Sequence, residues 1–189
     1  MFITILKSIP GDDYTVHRLL KKNFNGQRIL YQRRKVSTHV LSDMPPQNHF
    51  VVSKNIDSVI ENIKAGDNLD FSIRINPVVS KKIEPEKRRG MLKAVPCNDI
   101  ERWLNARFIK YGFLADFTFE AEGFSESVKR GDVITINSLL VNGTMEVLNL
   151  TTLKQALLSG IGRAKSFGYG FLHIYDSCLV PVKQTIGNI

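Results

Sequence analysis

From Phe2 to Ile9 apolar residues recur at the short period of a half-buried strand, and the pattern then lengthens to that of a helix. Asp12 or Asp13 can cap this helix, Val16, Leu19, Leu20 and Phe24 form its apolar stripe, and Asn25-Gly26 ends it. Arg28 to Lys35 and Thr38 to Leu41 read as strands, and after the Pro45-Pro46 break a helical segment covers 55–65. Asn68 to Val79 then alternates strictly, with Leu69, Phe71, Ile73 and Ile75 on one face and Asp70, Ser72, Arg74 and Asn76 on the other. The order is strand, helix, strand, strand, helix, strand, which is a ferredoxin-like unit.

The stretch 81–96 is rich in Lys and Arg and poor in apolar residues, so it reads as a basic linker and a flexible contact for an acidic partner. Beyond it a helix starts near Asn98, with Ile100, Trp103, Leu104 and Phe108 as its stripe. Strands follow over 114–128 and 132–148, then a helix over 151–159 and a last strand from Tyr169 to Tyr175. The second half repeats the element order of the first without a visible sequence repeat. The expected fold is therefore α+β, two tandem ferredoxin-like (RRM-like) domains, with residues 1–80 as the first and 97–189 as the second. Such sheets can stack RNA bases on aromatic residues, and Tyr31, Phe71, Phe117 and Phe119 lie in strands, although strand aromatics are more often core.

Between the last helix and the last strand lies Gly160-Ile-Gly-Arg-Ala-Lys-Ser-Phe-Gly-Tyr-Gly170. Glycines let backbone N–H groups converge on an anion, and Arg163, Lys165 and Ser166 add charge and a hydroxyl, so Gly160, Gly162 and Gly168 with these three side chains are candidate phosphate-binding residues. A nucleotide P-loop or dinucleotide fold places its glycines before the helix, and residue 164 is Ala where a P-loop needs Gly, which disfavours ATP and NAD. Composition agrees with a nucleic-acid partner: 26 Lys and Arg stand against 18 Asp and Glu, giving a net charge of +8. Lys129 and Arg130, in a turn-like segment, are further candidates for RNA phosphates. No apolar run reaches the length of a membrane span, and the N-terminus reads as a strand rather than an export signal. Cys97 and Cys178 are isolated, so no structural metal, no cofactor and a cytoplasmic location are expected.

Tyr14 and His17 share a face of the first helix, and Lys21 stands one turn further along it. A phenol, an imidazole and an amine in line suit RNA cleavage by the substrate's own 2′-hydroxyl, which needs a base, an acid for the leaving 5′-oxygen, and positive charge for the phosphorane. Lys22 can serve in place of Lys21. His39, His49 and His173 have no partner at a telling spacing, and no carboxylate cluster suits two-metal nuclease chemistry.

Three stretches together resemble one family: Tyr14-Thr-Val-His17-Arg-Leu-Leu, Phe71-Ser-Ile-Arg-Ile-Asn-Pro77 and the glycine-rich segment from 160 to 172. Their order and spacing are similar to the CasE group of CRISPR repeat-processing endoribonucleases, the type I-E branch of the Cas6 superfamily. The resemblance implies two ferredoxin-like domains, binding of the stem-loop of CRISPR repeat RNA, and metal-independent cutting at the base of the stem. It carries the active-site histidine to His17 and the tyrosine to Tyr14, and it implies that the protein stays on its product as a Cascade subunit. The alternative is a non-catalytic guide-RNA-binding subunit of a CRISPR effector complex.

Overall fold

The computed structural model describes residues 1–47, 53–81, 91–129 and 131–175. The chain opens with strand β1 (Phe2–Lys7), helix α1 (Asp13–Asn23), strands β2 (Ile29–Arg33), β3 (Ser37–Ser42) and β4 (Ser53–Asn55), and the short helix α2 (Asp57–Asn62). The four strands form an antiparallel sheet in the order β2-β3-β1-β4. Helix α1 lies on this sheet because Val16, Leu20 and Phe24 recur at helical spacing and close against Ile29, Tyr31 and Val40. Leu19, expected on the same stripe, is 43% exposed. One residue before Leu20, it sits about 100° round the helix from it and faces outward.

The chain continues with β5 (Asn68–Ile75), β6 (Val78–Lys81), β7 (Met91–Ala94), helix α3 (Ile100–Lys110), the long strands β8 (Phe113–Lys129) and β9 (Asp132–Val147), helix α4 (Leu150–Ser159) and β10 (Leu172–Tyr175). Its main sheet is ordered β10-β5-β9-β8. The alternating strand expected over 68–79 breaks at Asn76-Pro77 into β5 and β6, and β5, expected to close the first half, instead opens the second, since its neighbours on both edges are β9 and β10. The first unit is closed by the three-residue β4. Alternation reveals which face of a strand is buried but not which strands share its hydrogen bonds, so periodicity alone misplaces it.

Both units have the sheet order of a ferredoxin-like fold; the second reads β5-α3-β8-β9-α4-β10 in chain order, whereas in the first the helix expected before the closing strand, α2, follows β4. Phe71, Ile73 and Ile75 of β5 lie in one core with Leu104 and Phe108 of α3 and with Leu153 and Leu157 of α4. The expected basic linker is also corrected in part. Residues 91–94 form β7, which pairs with β6 from Val78 opposite Ala94 to Lys81 opposite Met91, while 82–90 lie outside the described residues. Among the described residues no helix is long and apolar enough to cross a membrane.

His39 of β3 and His173 of β10 join the two sheets, with Nδ1 and Nε2 3.3 Å apart. Arg34 lies over the Tyr175 ring beside them and donates to its hydroxyl. Burial pushes His173 down to about 3, with His39 and Arg34 opposing its charge further. Burial and Arg34 push His39 down to about 4. Both imidazoles are thus neutral in the folded protein, while in the unfolded chain they titrate near 6.5. The unfolded state therefore binds more protons below that value, and stability is lost as pH falls through 6.5 toward the folded values. Thermal unfolding followed by circular dichroism is expected to show a falling midpoint between about pH 7 and pH 5, with a smaller fall in His173→Phe. An unchanged pH slope in that variant contradicts this assignment.

Candidate active site

Helix α1 is fixed at its start by Asp12, whose carboxylate accepts the backbone N–H of Thr15 at 2.8 Å. Its next turn is held from the sheet. Tyr31 of β2 is fully buried, and its hydroxyl donates to the carbonyl of Asp13 at 2.8 Å and lies 3.3 Å from the carbonyl of Ser166. In an α-helix the Asp13 carbonyl is also the acceptor for the N–H of His17, so Tyr31 anchors the turn that carries this histidine. The His17 and Tyr31 rings stack with centroids 6.1 Å apart and an interplanar angle of 24°. Burial, with the nearby Asp13 charge, pushes the Tyr31 phenol far up, so it acts only as a neutral donor.

The glycine-rich segment packs against the same tyrosine. Gly168 has φ +82°, and a Cβ there would stand 2.8 Å from Cε2 of the Tyr31 ring. Gly170 has φ +80°, and a Cβ there would stand 2.2 Å from the carbonyl oxygen of Ile161. Much of the expected anion cradle is used internally. The N–H groups of Gly160, Ile161, Phe167, Gly168 and Gly170 donate to the carbonyls of Ala156, Gly170, Ala164, Lys165 and Arg74. Close packing is the reason for glycine at 160, 168 and 170, and the charge of the loop lies in its side chains.

Those side chains meet other cations. Burial lowers the Lys165 pKa, with Arg28 adding to the effect, and burial lowers that of Arg107, which also faces Arg163. None of the four forms an ion pair among the described residues. Arg28 and Arg107 were not legible as site residues, because one sits after a turn and the other in a helix with no motif around it. Like charges brought together without carboxylates repel each other, and a polyanion relieves that repulsion.

Tyr14 and His17 do face this region. The Tyr14 ring lies 6.2 Å from that of Phe167, and Lys129 Nζ stands 5.8 Å from the Tyr14 centroid. His17 is half-buried, and its Nδ1 is buried without a hydrogen-bond partner among the described residues. Burial pushes its pKa below the usual 6.5, and the charges of Lys21 and Lys129 push it further down. Lys21 is exposed and reaches the Gly26 carbonyl at 3.3 Å, so it contributes field at His17, while Lys129 is the cation standing over Tyr14. Arg130 lies outside the described residues. Tyr31 and Phe71, weighed as base-stacking residues, are buried, whereas Phe119 is 41% exposed. Among the described residues no group of three or more His, Cys, Asp or Glu side chains is placed to hold a metal ion.

The model of a family described as "CRISPR associated protein" matches residues 7–175. A structure of the CRISPR endoribonuclease Cse3 bound to a 19-nucleotide RNA is similar at TM-score 0.75 and 20% identity, over 93% of this chain and all (100%) of that one. Cas6e from Escherichia coli K-12 is similar at TM-score 0.73 and 19% identity, over 92% of this chain and 98% of that one. Thermus thermophilus Cse3, bound to an RNA representing a pre-cleavage complex, is similar at TM-score 0.73 and 20% identity, over 93% and 98%. A chain of a CRISPR RNA-guided surveillance complex is similar at TM-score 0.69 and 18% identity, over 92% and 98%. No curated protein matches in sequence.

The contact between Gly168 and Tyr31 sets a stability test. Gly168→Ala is expected to cost about 2–4 kcal/mol, from left-handed backbone strain and from displacing the ring. Gly26→Ala has φ +68° and nothing within 4 Å of the new Cβ, so it should cost only the backbone contribution of about 1–2 kcal/mol. Urea unfolding compares the two, and equal costs would show that Tyr31 does not hold the loop.

Proposed function

The chain belongs to the CRISPR-associated protein family whose model spans residues 7–175, and on that premise we propose that it is an endoribonuclease that binds the stem-loop of CRISPR repeat RNA and cuts precursor RNA at the base of the stem without a metal. The observation that carries this reading is the placing of His17 and Tyr14 on one helix face, with Lys129 over the Tyr14 ring and the glycine-rich segment beside it, while burial and two lysines lower the His17 pKa. The imidazole is poised to accept a proton.

In this mechanism His17 takes the proton of the 2′-hydroxyl as that oxygen attacks the adjacent phosphorus. The bond from phosphorus to the 5′-oxygen breaks, and the Tyr14 hydroxyl donates its proton to the leaving oxygen. Lys129 offsets the charge of the phosphorane, which is where preorganised charge lowers the barrier most. The products are a 2′,3′-cyclic phosphate and a 5′-hydroxyl, and the proton on His17 returns to Tyr14 through solvent. Arg28, Arg107, Arg163 and Lys165 would hold the phosphates of the stem, which makes binding steeply salt-dependent. The likeness to a chain of a surveillance complex supports a protein that stays on its processed RNA as a subunit of a Cascade assembly; such an assembly would work in the cytoplasm.

Incubation of the protein with repeat RNA in EDTA, beside His17→Ala, tests this reading. The variant should lose about 10²–10⁴-fold in cleavage rate while binding RNA with an affinity within about twofold of the wild type. Undiminished cutting by the variant removes His17 from the chemistry, and tight binding without cutting by the wild type favours a guide-RNA subunit with no activity of its own. A base with a depressed pKa also dictates the acid limb of kcat/KM. Its half-point should lie below 6.5 and move upward in Lys129→Ala, because removing a cation eases protonation.

A further inference from the structure

Beyond the irregularity between Ala121 and Gly123, strands β8 and β9 leave the main sheet. Leu139 is the last β9 residue paired with β5, so among the described residues Gly123–Lys129 and Asp132–Ser138 pair only with each other. A two-stranded arm of this kind is marginal alone and needs an anchor. Ile134 and Ile136 pack on Phe167, Tyr169 and Tyr14. Two adjacent carboxylates at the start of α1 supply the polar contacts.

Each carboxylate divides its oxygens between two elements. Asp12 Oδ1 accepts the N–H of Thr15 in its own helix, and Oδ2 accepts the N–H of Val128 in the arm at 3.0 Å. Since β8 is an edge strand, Asp12 takes the place of a missing strand neighbour there. Asp13 Oδ1 pairs with Arg33 of β2 at 2.9 Å, and Oδ2 accepts the Ser125 hydroxyl of the arm at 2.6 Å. Asp13 is 6% exposed, so its carboxylate is largely shielded from bulk water. The residue after Val128 is Lys129, the cation over Tyr14.

We propose that Asp12 and Asp13 are positioning residues, a clasp that docks the β8–β9 arm on helix α1 and so holds Lys129 at Tyr14 and His17. This rests on the reading of Tyr14 and His17 as the cleavage site. The groups that face His17 are Lys21 from its own helix, Lys129 from the arm and Tyr31 from β2, while Asp13, at the start of the helix, is paired with Arg33. With the clasp open, Lys129 leaves this set and the field at the imidazole weakens.

Asp12→Asn combined with Ser125→Ala opens the clasp without touching Lys129 or the cap. Asn still caps a helix, but its amide nitrogen meets Val128 with a donor where an acceptor stood. In single-turnover cleavage the double variant is expected to be about tenfold slower, the rate equivalent of coupling between neighbouring groups, and Lys129→Ala equally slow. Combining all three changes should cost no more than about twofold beyond either, because the clasp acts through the lysine. In the RNA-free protein the NMR titration midpoint of His17 should rise toward 6.5 in the double variant and in Lys129→Ala alike. Ser125→Ala alone, which changes no charge, should raise it by a smaller step and serves if the double variant does not fold. Rate losses that multiply, or a His17 midpoint unmoved when the clasp is opened, would overturn the proposal. If the wild type binds repeat RNA without cutting it, the catalytic reading fails, and the titration still decides the clasp.

Discussion

The hydroxyl of Tyr31 lies where the two ferredoxin-like units meet, and the site takes its shape from the need to satisfy it. A phenol with no exposure must find acceptors, and here they are the Asp13 carbonyl in the first unit and the Ser166 carbonyl in the glycine-rich segment of the second. Its ring then occupies the space where any side chain at position 168 would stand, and its other neighbour is the His17 imidazole. One residue thereby sets the distance between the helix with the reactive groups and the loop with the cations. The glycines are needed because the units touch so closely, and the resulting placement of Arg163 and Lys165 is what the proposed phosphate contacts rest on.

Charge is distributed unevenly around this junction. Asp12 and Asp13 are taken up by a helix cap, a guanidinium, a hydroxyl and a backbone N–H, so little of their charge is free to compensate the lysines at His17. On the loop side, Arg28 faces Lys165 and Arg107 faces Arg163, with no ion pair to any of them among the described residues. Such an arrangement weakens the folded state by self-repulsion and strengthens binding of a polyanion, which is the exchange expected of a nucleic-acid surface. At His17 burial comes first, and Lys21 and Lys129 add to it in depressing the pKa, which keeps the imidazole available as a base.

Elements with strong periodicity were legible in the sequence. The stripe of α1, the alternation of β5 and the long β8–β9 hairpin appear where the hydrophobic pattern puts them, because each buries one face against a core. Strand partnership was not legible: β5 belongs to the second sheet, since its neighbours are fixed by contacts with residues far along the chain, the nearest in the β9 register being Leu139 opposite Ile75. Tyr14 and His17 could be read from helical spacing, which is a local rule. The anchoring by Tyr31, the clasp of Asp12 and Asp13, and the pairing of Arg28 with Lys165 depend on chain segments brought together only by folding. Lys129 could be marked as basic, but its place over Tyr14 follows from the docking of the arm.

Cleavage by protein side chains acting on the RNA's own 2′-hydroxyl is tested by mass analysis of the product ends formed in EDTA, with a matched repeat RNA carrying 2′-deoxyribose at the scissile nucleotide. A 2′,3′-cyclic phosphate and a 5′-hydroxyl are expected from the natural RNA, and tight binding without cleavage of the deoxy-substituted one. A 3′-hydroxyl with a 5′-phosphate, or cutting of the deoxy-substituted RNA, would contradict attack by the 2′-hydroxyl.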